Sequence, residues 1–416
     1  MKKVMLKTTL SLSVALASTQ LFASGFALNE QSISGMGTGY AGRSSSAEDA
    51  STVYGNPAGM SLLGRDQVTA GVATIDATSH IRNASGNPGT SDGDMVPFTS
   101  VPNAFFVKQL GNGWALGLGA YAPFGLITDY ESGFGGSNFG QKSEVKVVTL
   151  QPTVSYAFND IVSVGFGPTI NRMSGELSST LAAPPIGTGF VDVKGDDTAI
   201  GYNIGVIVQP TNTTRLGMTY HSKVSYSLDG HTSVTGLGPF IPDARYKGSL
   251  DITTPENLDF SITQKLDDQW TVYGGATWTR WSRLQNITIN NQGVSGPLAG
   301  GITTITEQQN WRDTWASAIG VAYRVNKEWV LRSGLSVDQS PTNNTDRSVR
   351  IPTGDRKAIS FGAGWSPTDD LTIDLAVSYL KEKDVDVNLS NPQKGTYSAE
   401  YENSAWGYGL GATYKF

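Results

Sequence analysis

The chain has 416 residues, with 30 lysines and arginines against 36 aspartates and glutamates, three histidines and no cysteine. The absence of cysteine excludes disulfides and thiolate metal sites, and three histidines leave little for a metal cluster. The acidic balance argues against a nucleic-acid partner. We therefore expect no metal, no other cofactor and no nucleic acid.

The first 23 residues have the features of a secretory signal peptide. Three lysines precede a short apolar stretch from Leu10 to Leu16, and the small residue Ala23 suits a cleavage site. The stretch is shorter than the ~20 residues that a membrane-spanning helix needs. We predict that residues 1–23 are removed on export, which leaves 27 basic residues against 36 acidic ones.

Residues 24–66 are rich in glycine and show no sustained alternation of apolar and polar side chains. Apolar and turn-forming residues interleave in "GFALNE", "AEDAS" and "YGNPAGM". A disordered periplasmic tail is the alternative, because small and polar residues also suit disorder. We predict a compact plug.

Residues 67–416 alternate with a period of two. In "AWGYGLGATYKF", at the end of the chain, Trp406, Tyr408 and Leu410 share one face, and Gly407 and Gly409 lie on the other. Such runs exceed ten residues, and their second faces are polar or glycine-rich where a soluble sandwich would be aliphatic. The pattern predicts an all-β, antiparallel transmembrane barrel.

The number of alternating segments is even, as a closed single-chain barrel of the outer membrane requires. Short connections alternate with long ones, which we expect on the periplasmic and extracellular sides respectively. A barrel of this size leaves a lumen wide enough to hold residues 24–66. We predict fourteen strands, near 67–79, 101–110, 113–127, 142–158, 161–175, 195–209, 213–229, 246–265, 269–289, 307–325, 328–339, 355–366, 370–386 and 398–416.

The third predicted strand contains the sequence "APFG", from Ala122 to Gly125. Pro123 cannot donate a ladder hydrogen bond, and Gly125 has no side chain to pack. Two interpretations remain open. Either the strand ends there at a loop, or it continues with a local break in its pairing.

Taken together, the motifs resemble the FadL family of outer-membrane transporters of long-chain fatty acids and hydrophobic compounds. The resemblance spans nearly the whole mature chain and ends with the aromatic last strand. It rests on "GFALNEQSISGMGTGYAG" near the start, "AEDAS" followed by "NPA" (56–58), "APFGL" (122–126), "KSEVKVVTLQPTVSY" (142–156), "TTPENLDFSIT" (253–263), "WTRWSRLQ" (278–285) and "IPTGDR" (351–356).

The resemblance implies a fourteen-stranded barrel, residues 67–416, plugged by an N-terminal hatch, residues 24–66. The hatch would contain the turn Asn56, Pro57 and Ala58. A kink in the third strand would open the wall laterally at Pro123, Phe124 and Gly125, which favours a break in pairing over a strand end.

The resemblance also assigns roles to single residues. Phe26 would be the hatch tip that occupies the ligand pocket. Arg312 would meet a ligand carboxylate, and Arg172 is a second candidate by a looser alignment, although salt bridges in the lumen are the alternative role for both. Family positions that we interpret as wall or hatch-locking contacts are Asp338, Asp355 and Arg356.

The function that follows from the resemblance is transport of a long-chain fatty acid or another hydrophobic molecule, with no enzymatic activity. We expect capture at extracellular loops such as "TGLGPFIP" (235–242) and lateral release through the third strand into the membrane. Expected partners are the hydrophobic ligand, outer-membrane lipid and lipopolysaccharide, and the barrel assembly machinery during biogenesis. We expect a monomer.

Other functions remain open at this point. An aromatic hydrocarbon channel or a lipid exporter would have the same sequence pattern. A general porin would have charged rings around an open lumen and no plug. A lipid hydrolase would need a Ser-His-acid arrangement, and no such pattern accompanies His221, which we interpret as a polar lumen residue.

Overall fold

Antiparallel strands dominate the computed structural model, which describes residues 25–91, 94–183, 187–238 and 241–416. The predicted signal peptide lies outside the described residues. Among the described residues, nineteen strands form one sheet. They are β1 (Gln67–Gly86), β2 (Thr99–Gly111), β3 (Trp114–Asp129), β4 (Lys142–Ala157), β5 (Val162–Ala183), β6 (Gly187–Thr211), β7 (Thr214–His221), β8 (Val224–Thr235), β9 (Ala244–Thr254), β10 (Asn257–Lys265), β11 (Trp270–Thr279), β12 (Asn286–Gln292), β13 (Thr304–Gln308), β14 (Thr314–Arg324), β15 (Trp329–Asp338), β16 (Arg356–Trp365), β17 (Leu371–Glu382), β18 (Val385–Asn391) and β19 (Gly395–Lys415).

The sheet closes into a barrel, because β1 pairs with both β2 and β19. Five wall strands are interrupted, so that β7 and β8, β9 and β10, β11 and β12, β13 and β14, and β17 and β18 each form one crossing. The described nineteen strands therefore make fourteen crossings. This confirms the prediction of a fourteen-stranded antiparallel barrel.

The longest hairpin extends beyond its predicted ends. The sequence predicted strands over 161–175 and 195–209, whereas β5 and β6 pair out to Ala183↔Gly187. Their outer halves are rich in serine, threonine, glycine and charge, so that the apolar alternation stops where the wall leaves the lipid. Alternation thus predicted the membrane-facing part of the hairpin but not the part that extends into water.

The outward faces carry exposed apolar side chains, as a lipid-facing wall requires. Aromatic residues are frequent near the strand ends, where an amphipathic ring suits the membrane interface. The rings of Trp329 and Trp365, on neighbouring strands, lie 5.9 Å apart. In the described part of the chain, no helix is long and apolar enough to span a bilayer.

The N-terminal segment, residues 25–66, folds into short helices. Helix α1 (Ile33–Gly37) begins after Ser32, whose hydroxyl accepts a hydrogen bond from the Gly35 amide at 3.1 Å. Helix α2 (Thr52–Gly55) is followed by a 3-10 helix (Pro57–Leu62). Of the further short helices, the 3-10 helix Trp281–Arg283 lies in the interruption between β11 and β12. The 3-10 helix Gly296–Leu298 and α3 (Ala299–Ile302) connect the outer ends of β12 and β13.

Glycines on the inward faces of the wall leave room for the N-terminal segment. A Cβ atom at Gly205 would overlap the side chain of Asn56, and one at Gly334 would overlap the backbone of Thr38. A Cβ atom at Gly320 would lie 2.6 Å from the Thr38 carbonyl oxygen. The glycine-rich inward faces in the sequence are therefore the contact surface for residues 25–66.

Candidate functional site

The wall loses a strand pairing on one side of β3. The pairing of β2 with β3 runs from Gly111↔Trp114 to Ala104↔Ala120. Beyond that point β2 continues beside β1 as far as Thr99, and β3 continues beside β4 as far as Asp129. In the described pairing, the outer half of β3 therefore has no wall strand on its β2 side.

A bulge lies at the point where this pairing stops. Tyr121 pairs with Thr149 and Phe124 pairs with Val147, so that Ala122 and Pro123 together oppose the single residue between those partners on β4. Strand β3 runs through the bulge without ending. The APFG sequence therefore changes the pairing of the strand and does not terminate it.

The N-terminal segment covers the unpaired edge of β3. The Leu28 amide donates to the Pro123 carbonyl at 2.8 Å, and the Gly125 amide donates to the Phe26 carbonyl at 2.9 Å. Ala27 and Phe124 face each other as an isolated antiparallel bridge. Residues 26–28 thus stand where β2 would otherwise continue.

The Phe26 side chain fills a pocket of aromatic rings. Its centroid lies 5.7 Å from that of Phe124, 4.9 Å from that of Trp281 and 6.0 Å from that of Trp311. Phe26 is 3% exposed. These four residues belong to a larger apolar group, the Phe26 cluster, which also contains Leu126, Val147, Met173, Val224, Tyr226, Leu228, Leu284 and Ile351.

An apolar groove continues from the Phe26 cluster toward the outer ends of the strands. Met173 and Leu228 belong to both, and the groove encloses a cavity of about 60 Å³. Its other apolar side chains are Val145, Leu177, Val193, Leu250, Ile252, Ile287 and Ile289. A hydrophobic molecule would thus contact apolar side chains from the outer ends of the strands to Phe26.

A second cavity, of about 120 Å³, adjoins Ala27 and Phe124 and is lined by both apolar and polar side chains. Asn203 donates from Nδ2 to Gln151 Oε1 at 2.7 Å, and His221 lies in the same lining, 4.9 Å from the Tyr54 ring. Polar groups that are hydrogen-bonded to one another suit bound water better than an acyl chain. The polar part of this cavity therefore suits water, whereas the Phe26 cluster beside it is apolar.

The two arginines that the resemblance suggested for ligand binding lie outside the Phe26 cluster. Arg172 pairs in register with Val148 and Thr198, one position out of phase with the inward-facing Met173, and forms a 3.0 Å ion pair with Asp196. It therefore faces outward.

Arg312 lies in the interruption between β13 and β14, is exposed, and donates to the Ser340 carbonyl at 3.3 Å. The sequence predicted an unbroken strand over 307–325, which contains Arg312. The strand is interrupted between Gln308 and Thr314, so alternation does not define a facing direction there.

Asp338, Asp355 and Arg356 lie at the base of the segment 340–354. Arg356 donates from Nε to Glu382 Oε1 at 2.9 Å, and its Nη1 lies 3.8 Å from Asp338 Oδ2. Asp355 accepts a hydrogen bond from the Ser340 amide at 2.8 Å. These contacts fix both ends of the segment that delivers Ile351 to the Phe26 cluster.

The Asn-Pro-Ala turn joins the N-terminal segment to the wall. Asn56 Nδ2 donates to the Ser44 carbonyl at 2.7 Å and to the Val206 carbonyl, on β6, at 3.0 Å. Its Oδ1 accepts from the Ala58 amide at 3.0 Å and so caps the 3-10 helix, with Pro57 in the first turn. The side chain of Asn56 thus forms hydrogen bonds with backbone groups of both the N-terminal segment and the wall.

An ionic contact at Glu48, which sequence reasoning missed, attaches the N-terminal segment to the wall at a second place. Glu48 accepts from the Tyr273 hydroxyl at 2.6 Å and from Arg332 at 3.2 Å, and Arg332 also donates to Asp374 at 2.7 Å. Burial opposes ionisation of Glu48, but the charge of Arg332 and the hydrogen bonds from Tyr273 and Arg332 outweigh it and hold the pKa of Glu48 below its ordinary value. The available signal was "AEDAS", whose pair of acids are the only negative charges of the sequence between Glu30 and Asp66.

Replacing Glu48 with glutamine should loosen the N-terminal segment. Hydrogen bonds to charged groups contribute about 1.5–3 kcal/mol, and ionised Glu48 stabilises docking above the ordinary glutamate pKa and loses that effect as the pH falls through its lowered pKa. We expect more frequent conductance openings of Glu48→Gln in planar bilayers. Exposed Glu328→Gln is the control and should behave as the unmodified protein; equal conductance of all three proteins would contradict the role of Glu48.

Comparison with known proteins identifies the family. Residues 14–416 match the sequence profile of the outer membrane protein transport protein family (OMPP1/FadL/TodX). The chain belongs to this family. It is therefore an outer-membrane transport protein, and the predicted family and location are confirmed.

Relatives within the family align over almost their full length. The long-chain fatty acid transport protein of Salmonella typhi is 28% identical over 444 residues, covering 100% of this chain and 99% of the relative. Outer membrane protein P1 of Haemophilus influenzae is 28% identical, covering 99% of each chain.

Solved structures agree with the fold. A Pseudomonas aeruginosa FadL homologue superposes with a TM-score of 0.86 at 25% identity, covering 94% of this chain and 100% of that one. The Ralstonia pickettii toluene transporter TbuX gives a TM-score of 0.66 at 19% identity, covering 88% and 94% of the two chains, and so shares the fold.

Proposed function

We propose that this protein moves long-chain fatty acids, or closely related hydrophobic molecules, through the outer membrane and releases them sideways into the lipid. The observation that carries the proposal is the position of Phe26. It fills an apolar pocket directly beside the part of β3 that lacks a wall neighbour. A ligand that displaces Phe26 would stand at the opening.

Capture begins at the outer apolar groove, which shares Met173 and Leu228 with the Phe26 cluster. Loop residues 235–242 are a second candidate for first contact; Leu237 and Ile241 pack there into a separate apolar group, while residues 239–240 lie outside the described part. The groove is the better candidate because its apolar surface is continuous with the pocket.

Residues 24–66 act as a hatch inside the barrel of residues 67–416. The Asn56 turn and the Glu48 contacts attach the hatch to the wall at two places. The stretch around Phe26 is held by two backbone hydrogen bonds to β3. Movement of this stretch alone therefore opens the pocket while the rest of the hatch stays in place.

Lateral release avoids water. Burial of an acyl chain is worth ~0.8 kcal/mol per methylene, so a long chain would leave an apolar pocket for the periplasm very slowly. Unpaired backbone in a membrane wall is tolerated where it lines a cavity or passage. The break at Pro123, Phe124 and Gly125 fits such a passage.

Aromatic hydrocarbons are the second candidate cargo. Phe124, Trp281 and Trp311 would enclose a planar ring in the place of Phe26. The long apolar groove favours an acyl chain, because it extends well beyond the size of one ring. Outer-membrane lipid, lipopolysaccharide and the barrel assembly machinery complete the proposed partners of a monomeric transporter.

Uptake of radiolabelled oleate and of toluene tests the function. The full chain is expressed in a Gram-negative host that lacks its own outer-membrane fatty-acid transporter, with an empty vector as control. We expect oleate uptake well above the vector, and low ion conductance of the purified protein in planar bilayers. Absence of oleate uptake with the protein present in the outer membrane would contradict the proposal, and uptake of toluene alone would favour the second candidate.

A further inference from the structure

Trp281 has a hydrogen-bond donor that nothing in the structure uses. The side chain is fully buried, and its indole Nε1 has no hydrogen-bond partner among the residues that the structure describes. Burial of a polar group without a partner costs free energy, about 1–3 kcal/mol in proteins. Such a donor in the wall of a ligand pocket indicates a partner that arrives with the ligand.

The indole edge that carries this donor faces the hatch tip. A Cβ atom at Gly25 would lie 2.9 Å from Trp281 Cε2, the carbon bonded to Nε1, and 2.8 Å from Cζ2. The same Cβ atom would lie 2.6 Å from Cζ3 of Trp311. Gly25 has a φ of +64°, in the left-handed region that favours glycine. The hatch tip therefore needs glycine to pass between the two indoles.

Withdrawal of Gly25 and Phe26 would leave a space with an apolar part and a part that borders a hydrogen-bond donor. The place of the Phe26 ring is apolar and bounded by aromatic rings. The place of Gly25 borders the Trp281 donor edge. The Gly125 amide, which now donates to the Phe26 carbonyl, would become a second free donor nearby.

Two of the cations near this space are engaged elsewhere. Arg283, two residues beyond Trp281, is bound to Glu256 through two hydrogen bonds, one of them at 2.6 Å. Arg350, one residue before the cluster member Ile351, pairs with Glu307 at 3.1 Å. The Trp281 and Gly125 N–H groups are uncharged, and each can donate to an oxygen atom whether or not that oxygen is ionised.

We propose that Trp281 Nε1 binds an acceptor oxygen of the ligand, so that the pocket selects an amphiphile with one terminal oxygen group over a bare hydrocarbon of the same length. This inference rests on the proposed function and names its substrate class. The apolar body of the ligand takes the place of Phe26, and its carboxylate, carboxyl or hydroxyl oxygen takes the place of Gly25.

Two matched ligands and two matched variants test the inference. Oleate and cis-9-octadecene differ only in the terminal oxygen group. Trp281→Phe removes the donor and keeps an aromatic ring, and Trp311→Phe makes the same change on the neighbouring indole. Equilibrium binding of each ligand to the purified full chain gives a ratio of oleate to octadecene affinity.

We expect Trp281→Phe to lower this ratio about tenfold, since a charge-assisted hydrogen bond is lost. Trp311→Phe should change both affinities by the same factor and leave the ratio intact. In ¹⁵N-tryptophan-labelled protein, the indole signal that is missing from Trp281→Phe should shift downfield with oleate and stay in place with octadecene.

The failures are distinguishable. If both ligands bind and the ratio is unchanged in Trp281→Phe, or if the unmodified protein binds both equally well, the inference is wrong and the transport proposal stands. If the unmodified protein binds neither ligand, the proposed function fails as well.

Discussion

Locking Ala27 to Phe124 with an engineered disulfide should stop ligand uptake, and reduction should restore it. The flanking hydrogen bonds, from Leu28 to Pro123 and from Gly125 to Phe26, make Ala27 and Phe124 a non-hydrogen-bonded pair. The Cα atoms of such pairs lie ~4.5 Å apart, within the range that a disulfide bridges. Because the chain has no cysteine, the introduced pair has no competitor.

The lock holds Phe26 in the pocket, so the ligand cannot take its place. We expect oleate uptake by oxidised Ala27→Cys/Phe124→Cys to fall at least about tenfold below its own reduced form, which corresponds to ~1.4 kcal/mol or more. A disulfide between Ser85 and Ser398, whose hydroxyls lie 2.8 Å apart on β1 and β19, is the control for oxidation and cross-linking of the wall.

The control lock should leave uptake unchanged. If oxidised Ala27→Cys/Phe124→Cys carries oleate as fast as its reduced form, the stretch around Phe26 does not move during transport. The hatch tip would then be a fixed part of the pocket wall.

Alternation predicted the barrel because lipid acts on every outward side chain along the wall. Trp406, Tyr408 and Leu410 could therefore be assigned to one face from sequence alone, and the face was correct. The glycines on the opposite face have no explanation within their own strand. These glycines make room for a contact across the lumen, because Ile33 and Met36 of helix α1 pack against Gly409. The sequence pattern of a single strand cannot show such a contact.

The pocket depended on features that alternation cannot describe. Residue chemistry at Pro123 predicted either a strand end or a break in pairing, and the resemblance favoured the break. Residues 26–28, which cover the bulge, form only an isolated bridge, which is too short to show an alternating pattern. Trp281 lies in a 3-10 turn where the wall is interrupted. Its inward position therefore cannot be predicted from the two-residue alternation of a strand. The same kind of interruption lies at Arg312, so alternation does not define its facing direction, and its contact with a ligand carboxylate stays a prediction.

Deletion of Pro123 should remove the opening. The bulge places two residues of β3 opposite one of β4, so the loss of one residue restores a regular ladder and keeps Phe124 opposite Val147. A regular β3 can pair with the free edge of β2, which begins beyond Ala104. The apolar exit would then be closed by backbone hydrogen bonds.

A matched deletion controls for the shortening of the strand. The pairing of β2 with β3 has another irregularity between Gln109 and Gly111, where Leu110 is the extra residue at the periplasmic end. Removal of Leu110 regularises the ladder far from the opening. We expect this variant to retain uptake if it reaches the outer membrane in normal amounts.

The rate of oleate transfer from outside the cell into the outer-membrane lipid, measured for the Pro123 deletion at matched protein levels, tests the central claim most directly. Lateral release predicts a rate at least about tenfold below those of the unmodified protein and the Leu110 deletion. A Pro123 deletion that transfers oleate at the unmodified rate would contradict lateral release and would place the exit elsewhere in the barrel.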